Sequence, residues 1–515
     1  MHKVSFMKNN FFASICFLIL SLPVWSQAPR IIYSEPERDD SRRTEFEVVG
    51  KVGGNFLVYK NNRNDHDVCV YDAEMRLKNR VKMETSDRWV NVDFIAYPDF
   101  CYMIYQYQRR STLYCVGVKL DGNGQMMGKP IDLDTTQIGF AASNKIYTTI
   151  FSEDKKRIMI FKINNRNQKS FFYTNLLFND QLELLARNRM NMAMEERNDY
   201  FTDFLLTNEG DMVFGVFRRS SSNDQITKVM MVTKTPDALD FTVKDIEIGT
   251  LILDELKLKV DNSNKRILLN ALFYKQRRGN IEGLYSLSWD KVANVKLKEN
   301  LTTFDEDLRS TAKSQEANRK MAFNDYFIKN IIIRKDGGFL VIGESLYSSS
   351  RGNTNNRWNY NNFGNPWMSP LDYSYWSPMY SSPWYMPWNR YGNMNATRYY
   401  AENIMVLSFN SDGVLEWSNV VDKSQYDDEN DNMISFQSVN TGSEIHFLFN
   451  QYERRTLLLH DQSIGADGKV LRNPTLKNLD KGYEFMPRFG KQVSSRQIII
   501  PCLYRNYLCF AKIDF

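Results

Sequence analysis

The chain has 515 residues, 43% hydrophobic and 14% aromatic, and carries 66 basic against 61 acidic side chains for a formal net charge of +5. So weak a balance on so long a chain argues against nucleic acid as a general partner. Beyond the N-terminus no segment is apolar over the ~20 residues that a spanning helix needs.

Residues 1–26 read as a secretory signal. Lys3 and Lys8 precede an apolar run over 11–22, and Val24 and Ser26 are small enough for cleavage before Gln27. Cys16 lies inside the run rather than after it, which argues against a lipid-anchored start. The run is also too short for a retained anchor. Cleavage removes Lys3 and Lys8 and no acid, so the charge falls from +5 to +3. Five cysteines remain, Cys69, Cys101, Cys115, Cys502 and Cys509, on an export route that permits disulfides.

After the signal the chain repeats itself. The clearest unit is 100–133, FCYMIYQYQRRSTLYCVGVKLDGNGQMMGKPIDL: a strand, a basic turn, a second strand, a turn built on Asp and Gly, and a third strand. The first strand of the unit (B) begins near Asn55, Phe100, Arg157, Asp211, Arg266, Gly338, Glu444 and Gln497, at intervals of roughly 45–57 residues except around the sixth. A period of that size means propeller blades or solenoid coils. B strands are short continuous apolar runs, such as FLVIG over 339–343 and IIIPC over 498–502, which suits burial on both faces. A second strand (C) follows, and the turn after it carries an aspartate in every unit: Asp72, Asp121, Asp180, Asp237, Asp290, Asp412, Asp467 and Asp514. Asp hydrogen-bonds its own backbone and Gly accepts positive φ, so both suit tight turns. A more polar strand (D) leads to the apolar A strand of the next unit, read at 90–95, 200–206, 326–334 and 433–439.

Four strands per unit, the outermost polar, describe an all-β propeller with four-stranded blades, one domain over 27–515. The count is eight. Seven is the alternative, because 55–83 and 497–515 are the least complete units. The last unit stops at its Asp turn without a D strand, and RIIYS over 30–34 is expected to complete it and close the ring, hiding two strand edges. A competing architecture is an outer-membrane barrel, suggested by the alternation Tyr507, Cys509, Ala511, Ile513, Phe515. The continuous apolar runs elsewhere oppose it.

Three segments depart from the pattern. Residues 182–195 (LELLARNRMNMAME) and 305–321 are rich in helix formers and are read as short helices or ordered loops between D of one unit and A of the next. The third, 348–400, falls in the B–C hairpin of the sixth unit. It holds five of the nine tryptophans, Trp358, Trp367, Trp376, Trp384 and Trp388, with Tyr375, Tyr385 and five prolines, and almost no aliphatic side chain. That composition builds no aliphatic core. Long loops of this kind in compact domains are functional or disordered. Tryptophan and tyrosine stack on sugars or anchor interfaces, so the insertion is read as a binding element. The plainer reading is a lid packed on its own prolines.

The B–C turns carry arginine in every unit, among them Arg63, Arg166, Arg351, Arg505 and the pairs Arg109–Arg110, Arg218–Arg219, Arg277–Arg278 and Arg454–Arg455. In a propeller these turns emerge on one face and the aspartate turns on the other. An arginine-bearing rim suits carboxylate, sulfate or phosphate. The plainer reading is that Arg is a good turn residue, neutralised by acids such as Asp224 and Glu453. Cys502 and Cys509 flank a two-residue turn at Arg505–Asn506 that sets them opposite each other, which makes them the disulfide candidate. The alternative is five buried thiols serving as small apolar residues.

No catalytic, cofactor or metal motif stands out. There is no GxSxG, P-loop or GxGxxG after a strand. His66, His446 and His460 sit in no ligand-spaced cluster; His446, in an apolar strand, reads as a satisfied core residue. The acidic run 427–431 lacks the spacing and glycine of a calcium loop.

Residues 324–347 (NDYFIKNIIIRKDGGFLVIGESLY), the insertion, and 403–423 (NIMVLSFNSDGVLEWSNVVDK) resemble a group of exported, propeller-like proteins of Bacteroidetes-type bacteria, which share the KDGGF turn, a tyrosine-rich loop and a DG-x-x-x-W hairpin. The resemblance covers about the last third of the chain. It implies a Gram-negative envelope location, with no assigned activity and no catalytic residues to carry over. No sorting domain follows the last unit, which favours the periplasm over surface display. The expectation is therefore an exported binding or assembly module without cofactor, whose partner is an envelope protein or an acidic glycan. The competing class is a glycan-binding or glycan-processing propeller with its site at the mouth of the ring.

Overall fold

The structure is a computed structural model that describes residues 29–515 apart from 41–43, 63–64, 84–86, 140, 143–144, 168–169, 194–198, 220–224, 278, 313–324, 351–352, 356–397, 429–430, 454–455, 474–475 and 477–481. It is an all-β, propeller-like fold of four-stranded antiparallel units following one another along the chain. Residues 1–26, expected to be the secretory signal, lie outside the described residues.

In A–B–C–D order the first unit is Thr44–Val52, Asn55–Asn62, Asp65–Tyr71 and Leu77–Lys82, and the second is Trp89–Ala96, Phe100–Arg109, Thr112–Asp121 and Ile131–Gln137. The third is Thr148–Phe151, Arg157–Asn167, Ser170–Asn179 and Leu184–Ala193. In the fourth, Asp199–Phe201 and Leu205–Leu206 share the A position before Met212–Arg219, Ile226–Lys234 and Thr242–Ile246. The fifth is Ile252–Asp261, Arg266–Tyr274, Ile281–Asp290 and Val295–Thr303, joined to the fourth by a single pairing of Ile226 with Leu253. The sixth is Tyr326–Ile333, Phe339–Ser350, Arg398–Phe409 and Leu415–Asp427, and the seventh is Phe436–Asn440, Glu444–Glu453, Thr456–Gly465 and Val470–Arg472. The last has Tyr483–Phe485 and Lys491–Ser494 in the A position, then Gln497–Tyr504 and Tyr507–Asp514. Its D position is filled from the other end of the chain: Arg30–Tyr33 and Glu37–Asp40 both pair antiparallel with Tyr507–Asp514.

The B strands start where the sequence places them, within one residue, because a continuous apolar run can be satisfied only where both sheet faces are covered. Gln497–Tyr504 is buried over its five central residues, whereas the outer strand Val295–Thr303 is largely exposed. The core is a set of clusters, each shared by two units. Tyr59, Val70, Phe94 and Met103 pack between the first and second. Phe46, Tyr71, Ile499 and Phe510 pack between the first and the last.

The aspartate turns work as the residue chemistry requires. The Asp121 carboxylate accepts from the Asn123 and Gln125 amides at 2.8 and 2.9 Å, and Asp72 and Asp290 act alike. In the third and sixth units an asparagine, Asn179 or Asn410, accepts instead, and Asp180 and Asp412 follow it.

One helix expectation holds in part and one fails. Glu306–Ala312 is a helix of seven residues; the remainder of 305–321 lies outside the described residues from 313 on. Leu184–Ala193 is a ten-residue strand, the D strand of the third unit, paired along its length with Ser170–Asn179. Cross-strand pairing and half-burial outweigh the helix propensity of Leu, Ala, Met and Arg. The alternation was already in the sequence, since Met190 and Met192 turn inward between exposed neighbours.

The ends of the strands that carry the A–B and C–D turns are tied from unit to unit. Gly53 N donates to Pro98 O at 2.7 Å, Lys155 Nζ to Ala96 O at 2.6 Å, Asp154 N to Asn208 Oδ1 at 3.3 Å and Asn208 N to Asn262 Oδ1 at 3.0 Å. Arg266 Nη1 donates to Ser411 O at 2.8 Å, Asn419 Nδ2 to Gly468 O at 2.7 Å, Gln492 Nε2 to Asn440 O at 2.8 Å and Lys51 Nζ to Gln497 Oε1 at 3.1 Å. These links run from the first unit to the last and from the last back to the first.

Candidate functional site

The opposite strand ends, where the B–C turns emerge, carry the predicted arginines. The structure gives these side chains different fates. Arg109 is exposed, pairs with Asp87 at 2.6 Å and lies over the Tyr107 ring at 5.8 Å. Arg110, at φ 54, occupies the tight turn itself. Arg218 grips Asp199 through Nε at 2.7 Å and Nη2 at 3.2 Å. Arg219 is a correction: it is 5% exposed, pairs with the buried Asp254 at 2.6 Å and packs over Phe217 and Tyr200, so it belongs to the core and not to a rim. Its alternation with Arg218 on the strand Met212–Arg219 sends one guanidinium out and the other in. Arg277 is exposed. Arg505 and Asn506, at φ 50 and 68, form the expected two-residue turn, and Arg505 lies 5.3 Å over the Tyr504 ring. Arg278, Arg454, Arg455, Arg63 and Arg351 lie outside the described residues, as do Trp358, Trp367, Trp376, Trp384, Trp388, Tyr375 and Tyr385.

What sequence reasoning missed is the tyrosine partner. Tyr107 and Tyr114 face each other across the B–C hairpin of the second unit, their rings 4.9 Å apart and 6° from parallel. The stack continues inward through Tyr105 and Trp89 to His66, whose Nδ1 meets the Tyr59 hydroxyl at 2.5 Å. At the root of the insertion, Arg398 pairs with Asp428 at 2.6 Å and covers the Tyr426 ring at 4.3 Å, and Tyr426 in turn neighbours the half-exposed Tyr452. Tyr347 and Tyr400 stack across the same hairpin at 4.5 Å. For the second unit the signal was present in the sequence as QYQRR: Tyr107, two residues before the turn residue Arg109, shares its face of the strand.

A second set of side chains comes from the A strands. Five units deliver Glu47, Asp93, Lys145, Asp203 and Lys491 to one cavity of about 350 Å³, together with Phe94, Phe151, Phe204, Thr148 and Thr149. A second cavity of about 350 Å³ lies between the sixth, seventh and last units and is lined by Lys329, Asp431, Gln437, Ser438 and Arg488. Behind it the buried Glu344 is shared by Lys423 at 2.9 Å and Lys329 at 3.5 Å, and accepts from the Ser435 hydroxyl at 2.6 Å. Burial pushes the Glu344 carboxyl up, but the two ammonium groups outweigh it and hold it below the ordinary range.

Cys502 and Cys509 are cross-strand partners with Sγ atoms 3.0 Å apart, and all five described cysteines are free thiols in buried positions. His446 is buried with Nδ1 on the Asp461 carboxylate at 3.0 Å, a satisfied core residue. Among the described residues no three His, Cys, Asp or Glu side chains group as metal ligands, and no helix is long and apolar enough to cross a membrane.

No protein-family model and no curated protein matches the chain. Similar solved structures include prolyl oligopeptidase B from Galerina marginata, at 8% identity and TM-score 0.40 over 90% of this chain and 56% of that one. The chain thus spans little more than half the length of that enzyme. The polysaccharide lyase Uly1 is similar at 9% identity and TM-score 0.36, over 82% and 89% of the two chains. A mutant apocarotenoid oxygenase from Synechocystis is similar at 10% identity and TM-score 0.33, over 95% and 94%. No activity transfers to this chain at such distances.

Proposed function

We propose that the chain is an exported eight-bladed β-propeller, its ring closed by the N-terminal strand, that acts in the cell envelope as a binding or assembly module through its B–C face. Eight blades are supported by the strand register of the repeat, and closure by the pairing of Arg30–Tyr33 with Tyr507–Asp514 and by the links that return from the last unit to the first. Export and a periplasmic location rest on the composition of 1–26 and on the resemblance to exported Bacteroidetes-type proteins.

The observation that carries the binding reading is the pairing of arginine with partly exposed tyrosine at the B–C ends of separate units: Arg109 with Tyr107, Arg398 with Tyr426, and Arg505 with Tyr504. Tyr and Arg are the residues enriched at interface hot spots, where a ring supplies area at little entropic cost and a guanidinium supplies directed donors. The face fits a protein partner rather than one small anion, because the three guanidiniums lie over rings of separate units and two of them, Arg109 and Arg398, are already held by Asp87 and Asp428. The aromatic insertion springs from the same face and is assigned to the same task.

The test is co-purification from envelope extracts with tagged protein, comparing wild type with Tyr107→Ala, Arg398→Ala and a version in which 352–395 is a short Gly/Ser turn. Protein partners that bind wild type and are lost from the variants, at unchanged melting temperature, support the reading. Retention of the same partners by all three would sink it.

A further inference from the structure

The five described cysteines are all buried, and they differ in what surrounds them. Cys69, Cys101 and Cys115 belong to three different core clusters, whereas Cys502 and Cys509 share one. The last two are direct cross-strand partners on Gln497–Tyr504 and Tyr507–Asp514, with Sγ atoms 3.0 Å apart. The turn at Arg505 and Asn506, both at positive φ, fixes that register. Residues directly opposite in an antiparallel pair have Cα atoms ~4.5–5.5 Å apart, inside the ~4.4–6.8 Å span of disulfides. The two sulfurs are therefore within bonding reach on the backbone as it stands, and side-chain rotation closes the remaining gap of about 1 Å. Their place in the fold is particular. The strand Tyr507–Asp514 receives the N-terminal segment in two pieces: Arg30–Tyr33 pairs from Asp514 to Ala511, and Glu37–Asp40 pairs with Leu508 and Tyr507. Cys509 and Phe510 lie between the two pieces, where Ser34 leaves the ladder and bonds Phe510 through its amide at 2.8 Å and its hydroxyl at 3.0 Å.

We propose that Cys502 and Cys509 form a structural disulfide, made while the chain folds, that staples the closing hairpin at the break in its N-terminal pairing. The oxidant is another disulfide, borne by a small molecule or a protein. One cysteine thiolate attacks it, forming a mixed disulfide and expelling a thiolate. The second cysteine thiolate attacks the first cysteine's sulfur and expels the other. Two electrons pass from the cysteine pair to the oxidant, which ends as two thiols carrying the two protons. The step belongs to folding and not to the finished fold, because both sulfurs are then fully buried and burial pushes the Cys502 thiol well above its ordinary range, away from the reactive thiolate. The same burial shields the bond from reductants afterwards. The bond is independent of the docking reading and shares with it only the export route, which supplies an oxidising compartment.

Cell-free synthesis of the full chain in a buffer of oxidised and reduced glutathione tests this without relying on export, so failure of the export reading and failure of this one are read separately. The folded product is denatured without reductant, alkylated and weighed by mass spectrometry. Of the six cysteines in the chain, four should be alkylated before reduction and all six after it, with peptide mapping joining Cys502 to Cys509. In Cys502→Ala every remaining thiol should be alkylated. In dithiothreitol the folded wild type should lose the bond roughly tenfold or more slowly than the denatured chain, since access governs exchange. The proposal is overturned by six alkylated thiols in the folded, unreduced wild type, by a link from Cys502 or Cys509 to any other cysteine, by a glutathione adduct in place of the internal bond, or by equal reduction rates in the folded and denatured protein.

Discussion

At the scale of single residues, burial decides what a charged or titratable group does, and two side chains make the point. His66 is buried between Trp89 and the Tyr59 hydroxyl, and desolvation lowers its pKa from the ordinary value to about 4. A histidine with a depressed folded pKa contributes stability that is present above its unfolded value near 6.5 and is lost as pH falls toward 4. The ring signals of His66 should therefore stay unprotonated in an NMR titration down to about pH 5, and His66→Gln should flatten the decline in melting temperature between pH 6.5 and 4. The neighbouring arginines of the fourth unit supply the second case. Arg219→Met leaves Asp254 buried without its guanidinium and should cost about 3–5 kcal/mol in chemical denaturation. Arg109→Ala, at an exposed pair, should leave the denaturation midpoint nearly unchanged. Every turn arginine could be read in the sequence. That Arg219 is internal could not, because its burial depends on Asp254 from the next unit coming to meet it.

At the scale of elements, the repeat of apolar B strands and Asp-bearing turns was legible because both obey local rules: continuous apolar runs need two covered faces, and an Asx side chain closes its own turn. The segment 182–195 shows where local reading fails. Its propensities point to a helix, but its inward residues are spaced by two, and the partner strand Ser170–Asn179 selects the pleat. Met190→Asp would bury a charge in that strand and should destabilise by roughly 3 kcal/mol or more. Leu185→Asp, half exposed on the same strand, should stay within about 0.5 kcal/mol. Equal losses in thermal melts would contradict the observed register. The tyrosines of the B–C ends are a further lesson of this scale. The two-residue offset of Tyr107 from Arg109 is a strand signal, and it acquires meaning only once the hairpin sets Tyr107 against Tyr114.

At the scale of the whole molecule, the two chain ends meet, and a buried ionic clasp holds them. Glu37, from the N-terminal segment, reaches Lys60, Arg80 and the Tyr71 hydroxyl in the first unit while its own strand pairs with the last. Asp134 repeats the arrangement between the second and third units, with Lys162 at 2.7 Å, Arg187 at 2.6 Å and the Tyr147 hydroxyl at 2.7 Å. Burial pushes the Glu37 carboxyl up, but Lys60, Tyr71 and Arg80 outweigh it and hold the group below the ordinary range. A carboxylate with a depressed folded pKa stabilises above its unfolded value and loses that contribution as pH falls through the folded one. Glu37→Gln should thus weaken the protein at neutral pH and much less in acid. Glu37→Ala, which strands the buried Lys60, should cost about 3–5 kcal/mol at neutral pH. By itself the sequence determined the strand repeat and the turn chemistry, because pattern and turn preference are carried by neighbours in the chain. Only the tertiary structure decided which arginines face outward, that tyrosines stack beneath them, and that carboxylates, lysines and phenylalanines from on or beside the A strands of five units share one cavity. Those residues lie tens to hundreds of positions apart, and what each does is set by burial and by partners that no local stretch contains.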